Sequence, residues 1–278
     1  MNGWARDTGA AHIVGVGDNI YYNGVKSIDD SQWDSNWYQP FKANQPYLRE
    51  LPWHAMLGNH DYCYGNPWAE IQYKQNGWRM DDFFWSFSVQ LPSSKTATFI
   101  YLDTNFLAYG PNTQPWILQD CHGMFDVFQQ QIIKNKWSVE SQLNEIENLL
   151  LKSKSSDWVF VFGHHPLGYG PCGAEGNLNQ LASLLEKYQV QMYINGHVHS
   201  LDYGTSPSGT LYFTSGAGGD VNGGGCKPQN ANQWSKDHLA GFISCKIQGN
   251  EAYVSVVDSH GATIFSTAVN PKTNIHPK

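Results

Sequence analysis

Short hydrophobic runs recur along this chain, and most of them stop at a glycine that is followed by polar, chemistry-bearing residues. The first, residues 11–17, predicts a short buried strand ended by Gly17. Trp53–Leu57 is a second such run, leading into Gly58. Residues 83–89 and 97–102 predict two strands around a Pro-Ser-Ser turn. Ser138 is a cap-type residue, and Val139, Leu143, Ile146, Leu149 and Leu150 behind it share one helical face. Residues 157–162 predict another strand, and Leu178, Leu181, Leu184, Leu185 and Tyr188 a second helix. Residues 190–194 then predict a strand that runs into Gly196.

Two stretches lack such a pattern. The residues between the first two runs, rich in Trp, Asn, Gln and Asp, read as an ordered surface excursion. Residues 107–136 are weakly periodic and hold Pro111, Pro115 and Gly123, so most of this stretch reads as loop. After Gly209 the pattern changes to short strands at 211–214, 241–247, 252–257 and 263–267. The glycine-rich stretches 216–219 and 223–225 lie among them, as tight turns beside a site or as a surface loop. Strands and helices that alternate before this point predict a layered α/β fold. In such folds sites form in the crevice outside the carboxyl ends of the strands. No linker or repeat divides residues 1–278, which read as a single domain.

Composition narrows the partners. A chain of 278 residues, 41% hydrophobic, can bury one large core. With 24 acidic and 17 basic residues and no Lys/Arg cluster, it does not read as a binder of nucleic-acid backbone. A small phosphorylated substrate remains compatible with the net charge of -7, because a bound metal supplies local positive charge. No apolar run is long enough to span a bilayer, so no membrane partner is expected. The first residues lack the basic start and hydrophobic stretch of a signal peptide. Eleven Trp and fifteen Tyr suggest aromatic loops around a cleft, with Trp33, Trp37, Trp68, Trp116 and Trp234 setting substrate width. Five cysteines leave one unpaired if the others form disulfides.

The polar strings carry the chemistry. They are Gly17-Asp18-Asn19-Ile20-Tyr21, Gly58-Asn59-His60-Asp61, Asp103-Thr104-Asn105, Gly163-His164-His165-Pro166 and Gly196-His197-Val198-His199. The pair in the last string is the strongest local signal: residues two apart on a turn after a strand can reach adjacent metals, and neutral imidazole suits iron, zinc and manganese. One carboxylate can bridge two ions, which makes Asp18 the natural shared ligand. Asn59, His164 and His197 complete the shell of one ion, and the Tyr21 phenol is a candidate ligand to ferric iron. His60 is placed to bond a phosphoryl oxygen or to protonate a leaving alkoxide, and His165 is a second candidate to face substrate. Asp61 either orients His60 or serves its turn. His12, His54, His122, His238, His260 and His276 have no companion motif and read as packing or surface residues.

Four of these strings, with Gly17–Val25 in full, resemble the metallophosphoesterase superfamily. More narrowly they resemble the small, mammalian-type purple (tartrate-resistant) acid phosphatases. The resemblance runs from about residue 10 to the C-terminal strands. It implies a four-layer α-β-β-α sandwich of two mixed sheets, here without the first strand. It also implies an acid phosphatase hydrolysing phosphate monoesters at Fe(III) paired with Fe(II), Zn(II) or Mn(II). The divalent ion would sit on Asp18, Asn59, His164 and His197, and the ferric ion on Asp18, Tyr21, His199 and an aspartate of an earlier Asp-x-Gly strand. His60 would match the catalytic histidine beside the metals, with His165 kept as a second catalytic candidate from its own position. Only seventeen residues precede Asp18, so the chain is expected to begin after that aspartate; Asp7-Thr8-Gly9 has the pattern but lies too close for a strand and a crossover. The resemblance further implies a Cys121–Cys172 disulfide, secretion or a lysosomal or vacuolar location, a monomer, and a small phosphorylated substrate or phosphoprotein. The alternatives are a phosphodiesterase or nucleotide hydrolase on the same scaffold, or a catalytically impaired metal-binding homologue.

Overall fold

The computed structural model describes residues 1–111, 121–221 and 226–271. Near the N-terminus, the helices α1 (Asn2–Thr8) and α2 (Pro46–Glu50) flank a parallel three-stranded sheet, β1 (Ile13–Gly15), β2 (Trp53–Ala55) and β3 (Trp78–Arg79). A seven-stranded mixed sheet holds β4 (Phe84–Gln90), β5 (Thr96–Leu102), β6 (Trp158–Phe162), β7 (Met192–Asn195), β8 (Leu201–Thr205), β9 (Leu211–Ser215) and β10 (Trp234–Lys236). Its order is β10-β8-β9-β7-β6-β5-β4. The last three strands, β11 (Gly241–Gln248), β12 (Glu251–Asp258) and β13 (Thr263–Val269), form an antiparallel meander.

One face of the large sheet carries Ile100, Val159, Val161 and Tyr193 and packs on α6 (Val139–Lys152) and α7 (Leu178–Lys187), through Ile146, Leu150, Leu181 and Leu185. The other face carries Phe99, Tyr101, Phe160 and Phe213 and meets Val14, Val16 and Met56, together with Val254 and Val256 of β12. Outside β1 and β2, Ala55 and Leu57 pack against Trp37 and, from α5 (His122–Asn135), Met124, Val127 and Phe128. These layers make the α-β-β-α sandwich. Its second sheet layer is in two pieces, with β1-β2-β3 and β11-β12-β13 not hydrogen-bonded to each other among the described residues. Beside β11 lies α1, whose Trp4 indole donates to Ser244 Oγ at 2.9 Å and meets Phe242 edge-on.

Local chemistry explains the elements that match the sequence. Ser138 Oγ accepts from the Ser141 amide at 3.0 Å while Ser141 Oγ accepts from the Ser138 amide at 2.8 Å, a reciprocal cap that starts α6. The strand β6 is buried at every position, as a strand with parallel neighbours on both sides should be.

Three expectations are corrected. Residues 122–135 are helix rather than loop, because Pro111 and Pro115 stand before its first turn, Gly123 is tolerated within that turn, and Met124, Val127, Phe128 and Gln131 then form one buried stripe. The region after Tyr22 is ordered and mostly at the surface, but its tryptophans do not face a cleft. It contains a wide helix, Trp33–Ala43, whose Trp33 and Trp37 are buried against Tyr73 and Trp78, so neither lines a cleft. Trp234 stacks on Phe265, and Trp116 lies outside the described residues. The implied Cys121–Cys172 bridge is also corrected: the disulfides are Cys63–Cys121 and Cys172–Cys226, leaving Cys245 free.

The histidines without companion motifs include one that reports on acid stability. His54 on β2 is 4% exposed, stacked on His12 and held among Trp85, Phe87 and Tyr101. Burial, with His12 adding to it, pushes its imidazole down to about 3. The unfolded chain therefore takes up a proton near the ordinary histidine value that the native protein refuses. The associated stability is present above about pH 6.5 and is lost as the pH falls toward about 3. Between pH 7 and pH 4, His54→Phe is expected to lose roughly 3 kcal/mol less stability than the wild type in urea denaturation. Equal losses would show that this imidazole does not set the acid limb.

Candidate metal centre

Four turns converge at the carboxyl ends of β1 and β2 in one sheet and of β6 and β7 in the other. The Val16 carbonyl, just past β1, accepts from His164 Nδ1 at 2.8 Å and joins the two sheets at this point. A carbonyl has no proton to give, so Nδ1 carries the hydrogen and Nε2 of His164 faces the site.

Around that nitrogen the donor atoms form a continuous set. Asn59 Oδ1 lies 3.1 Å from His164 Nε2 and 3.0 Å from His197 Nδ1, and the two ring nitrogens are 3.2 Å apart. Asp18 Oδ2 is 3.3 Å from His164 Nε2. On its other side Asp18 Oδ2 accepts from Tyr21 Oη at 3.0 Å, and Tyr21 Oη is 3.1 Å from His199 Nε2. Separations near 3 Å are the edges expected of a coordination polyhedron with metal–ligand bonds of about 2.1 Å. All six sequence-derived ligand candidates, Asp18, Tyr21, Asn59, His164, His197 and His199, thus meet in one cluster. One ring nitrogen from each of His164, His165 and His197 also lies within 4.8 Å of the other two.

The electrostatics suit a cation. Burial alone would raise the Asp18 carboxyl, yet His164 and the His60 amide hold it well below the usual carboxylate range. Burial, reinforced by His164, pushes His197 down to about 3, which leaves it neutral with a lone pair. Burial and the Asp18 charge push the Tyr21 phenol up, so it keeps its proton unless a cation opposes them. Both outer imidazoles have carboxylates behind them: His197 Nε2 is 3.9 Å from Glu175 and His199 Nδ1 is 3.4 Å from Asp220. Carboxylates in this position fix the ring and raise ligand basicity.

Backbone geometry brings the turns this close. Asp18 and His197 both sit in the left-handed region, at φ 51° and 62°, a cost on the order of 1 kcal/mol each that marks a constrained site. Asp61 holds the first two turns together by accepting from the amides of Asn19 at 2.9 Å and Gly58 at 2.8 Å. It therefore serves its turn and not the His60 ring. Behind it Asn19 Nδ2 donates to Glu70 Oε2 at 2.9 Å, and buried Glu70 is pushed well above the ordinary carboxyl value by burial and by Asp61.

The remaining motif residues divide in two. His60 Nδ1 donates to the Tyr22 carbonyl at 2.6 Å, and its ring lies 4.6 Å from that of Tyr21. His165 is fully buried. Thr104 Oγ1 accepts from the amides of His164 and His165, so its own proton goes to His165 Nδ1 at 2.8 Å. Nε2 of His165 then carries a hydrogen and donates to Tyr109 Oη at 3.2 Å. The third polar string is scaffold: Asp103 accepts from Tyr62 Oη and from the Asn105 amide, opening α4 (Asn105–Tyr109). Thr104 stood in a named string without a role, while Tyr109, Glu175, Asp220 and Glu70 were not identified from sequence, although Glu175 lies three residues past Cys172 and Asp220 directly follows the glycine-rich stretch 216–219.

Comparison with known proteins agrees with this geometry. The profile of the family described as calcineurin-like phosphoesterase matches residues 4–201. Tartrate-resistant acid phosphatase type 5 of Homo sapiens is 28% identical over 278 residues, covering 93% of this chain and 79% of that protein. Purple acid phosphatase 4 of Arabidopsis thaliana is 30% identical over 260 residues, covering 91% and 71%. The solved structure of GAP50, the anchor in the inner membrane complex of Plasmodium, superposes with a TM-score of 0.76 at 20% identity, over 98% of this chain and 82% of that one, a likeness of fold. Among the described residues no helix is long and apolar enough to cross a membrane. On its profile match and its relatives, the chain belongs to the calcineurin-like phosphoesterase family.

Proposed function

We propose that this chain is a metal-binding phosphoesterase homologue with an unequal, catalytically impaired centre. It would hold one divalent ion tightly and hydrolyse phosphate esters slowly. The observation that carries this is the asymmetry of the donor set. Asp18, Asn59, His164 and His197 offer four donors: Asp18 is ionised, His197 is neutral, and His164, raised by Asp18 against its burial, has one proton to release as a cation enters. The other side offers Tyr21 and His199 beside the shared Asp18, and the phenol keeps its proton against the carboxylate it bonds. A divalent ion bound there would supply charge neutralisation and a nucleophile at moderate pH. The chain supplies the rest. His60, fixed through Tyr22, presents Nε2 to a phosphoryl oxygen or a leaving alkoxide. His165 acts from behind, through its bond to Tyr109 and its ring 4.6 Å from His197.

The acid-phosphatase reading, with Fe(III) on Tyr21 and His199, is the second one. It rests on the Asp18–Tyr21–His199 contacts and on similarity to purple acid phosphatases. The two disulfides support an oxidising compartment, secreted or lysosomal/vacuolar, for either reading. Metal content, a visible spectrum and turnover of para-nitrophenyl phosphate against its bis-ester decide between them. One ion per chain, no visible charge-transfer band and slow turnover are expected. Two ions with a visible band and rapid monoester hydrolysis would replace this reading with the acid phosphatase, and faster diester hydrolysis with a phosphodiesterase.

A further inference from the structure

The chain of hydrogen bonds through His165 ends on a phenol with a hydrogen to spare. Thr104 Oγ1 accepts from two amides and gives its proton to His165 Nδ1, so His165 Nε2 donates to Tyr109 Oη at 3.2 Å. A phenol that accepts still has its own hydrogen to give, and no acceptor for it stands among the described residues. Packing decides which way that end faces. The Tyr109 ring rests on the cluster that holds Ala69 of α3 (Trp68–Gln72) and Phe128 of α5, and on the cluster that holds Leu107 and Leu178. Its oxygen is left toward His165, whose ring is edge-on to it at 5.2 Å and lies 4.6 Å from that of His197. Burial, with the charges of Glu175 and Asp18, pushes the phenol up, as a hydroxyl on the metal side of the ring requires. Glu175 stands in a loop fixed to α4: the Asn177 amide donates to the Leu107 carbonyl at 2.8 Å, and a methyl on Gly176 would overlap the Ala108 carbonyl. Tyr109 keeps exposed surface, whereas His165 is fully buried.

We propose that Tyr109 is a substrate-binding residue, whose phenol donates its hydrogen to a phosphoryl oxygen of the ester held at the metal centre. This rests on the phosphoesterase reading and adds a contact to it. Thr104 and His165 are positioning residues. They fill the acceptor side of the phenol, so its one hydrogen is kept for the ligand. A neutral donor beside two carboxylates favours an anionic oxygen over a neutral one, because the bond to a charged acceptor is the stronger. His60 presents Nε2 from the Tyr21 side and Tyr109 its hydroxyl from the side of His165 and His197, which gives the phosphoryl group two donors on separate turns.

The test is calorimetric titration of the zinc-loaded full chain with inorganic phosphate. Tyr109→Phe keeps the ring and removes only the hydroxyl. It is expected to bind phosphate at least about tenfold more weakly, with zinc affinity and thermal midpoint unchanged, since one hydrogen bond to a charged acceptor is lost. Thr104→Val should weaken phosphate as well. Without the threonine proton the His165 hydrogen can move to Nδ1, and Nε2 then accepts the hydrogen of the phenol; Thr104→Ser should restore the affinity. The phenylalanine variant decides the matter if the valine variant does not fold. Wild-type phosphate affinity in Tyr109→Phe, or in a folded Thr104→Val, would overturn the proposal. Parallel loss of zinc and phosphate affinity in Tyr109→Phe would also overturn it, by making the phenol a support of the metal ligands. If the zinc-loaded wild type takes up no phosphate at millimolar concentration, the phosphoesterase reading itself fails and carries this inference with it.

Discussion

Asp18→Asn is expected to bind zinc(II) at least about a hundredfold more weakly than the wild type, while the metal-free protein folds less stably at neutral pH, because the fold favours the ionised carboxylate. The side chain is nearly buried, and its two oxygens do different work. Oδ1 accepts from the His60 amide at 2.9 Å, a bond that an asparagine oxygen keeps. Oδ2 faces Tyr21 and His164, where the amide nitrogen replaces a charged acceptor with a donor. What disappears is the one ionised oxygen that both halves of the cluster share, in surroundings where a unit charge is weakly screened. The apo protein loses the pairing of that charge with His164 and the His60 amide. Asp61 is raised to about 6 by burial and by Asp18, and Glu70 behind it is raised further by burial and Asp61, so the relief of these two carboxyls offsets only part of the loss. Competition with a chromophoric chelator measures the affinity and a thermal melt the stability. A variant within threefold of the wild type in zinc affinity would remove Asp18 from the ligand set.

How much of this could be read from the sequence follows from how far apart the interacting residues lie along it. The helices α6 and α7 and strands β6 and β7 were legible because their signals are local: a cap, a stripe of leucines, an unbroken apolar run. Asn59, His164, His197 and His199 were legible because each stands just past such a run, and parallel strands deliver their carboxyl ends to one crevice. The supports were not legible. Asp61 reaches the amide of residue 19, Thr104 those of residues 164 and 165, and Tyr109 the ring of residue 165, contacts no spacing rule encodes. Disulfide connectivity has the same character, which is why Cys63 rather than Cys172 partners Cys121. The helix α5 was missed for a different reason: its helical stripe exists, but Pro111 and Pro115 before it and Gly123 in its first turn imply a loop. The wide helix at Trp33 was masked by polar neighbours around the two tryptophans that bury it.

Gly58→Ala is expected to destabilise the protein by about 2–4 kcal/mol, roughly 4–8 °C in a thermal melt, and to abolish tight metal binding. A methyl group at this position would stand 2.2 Å from the Asp18 amide nitrogen, 2.3 Å from Asp18 Oδ1 and 2.8 Å from His164 Cε1. Two of those atoms belong to the strained turn that presents Asp18, so they cannot swing aside like the end of a flexible chain. The turns after β1 and β2 must separate instead. Separation lengthens the bond from the Asn19 amide to Asp61 and the bond from the His60 amide to Asp18, the two links that set the distance between Asp18 and Asn59. Misplacing a ligand by a methyl's width opens a set of donors now 3.0–3.3 Å apart. Gly173→Ala is the matched control, since nothing lies within 4 Å of the added carbon there, and it should melt and bind zinc like the wild type. If Gly58→Ala behaves like Gly173→Ala, the close approach of the two turns is not what builds the centre. If it loses stability but keeps zinc affinity, the contact belongs to the fold alone and the ligands are positioned by the β6 and β7 turns.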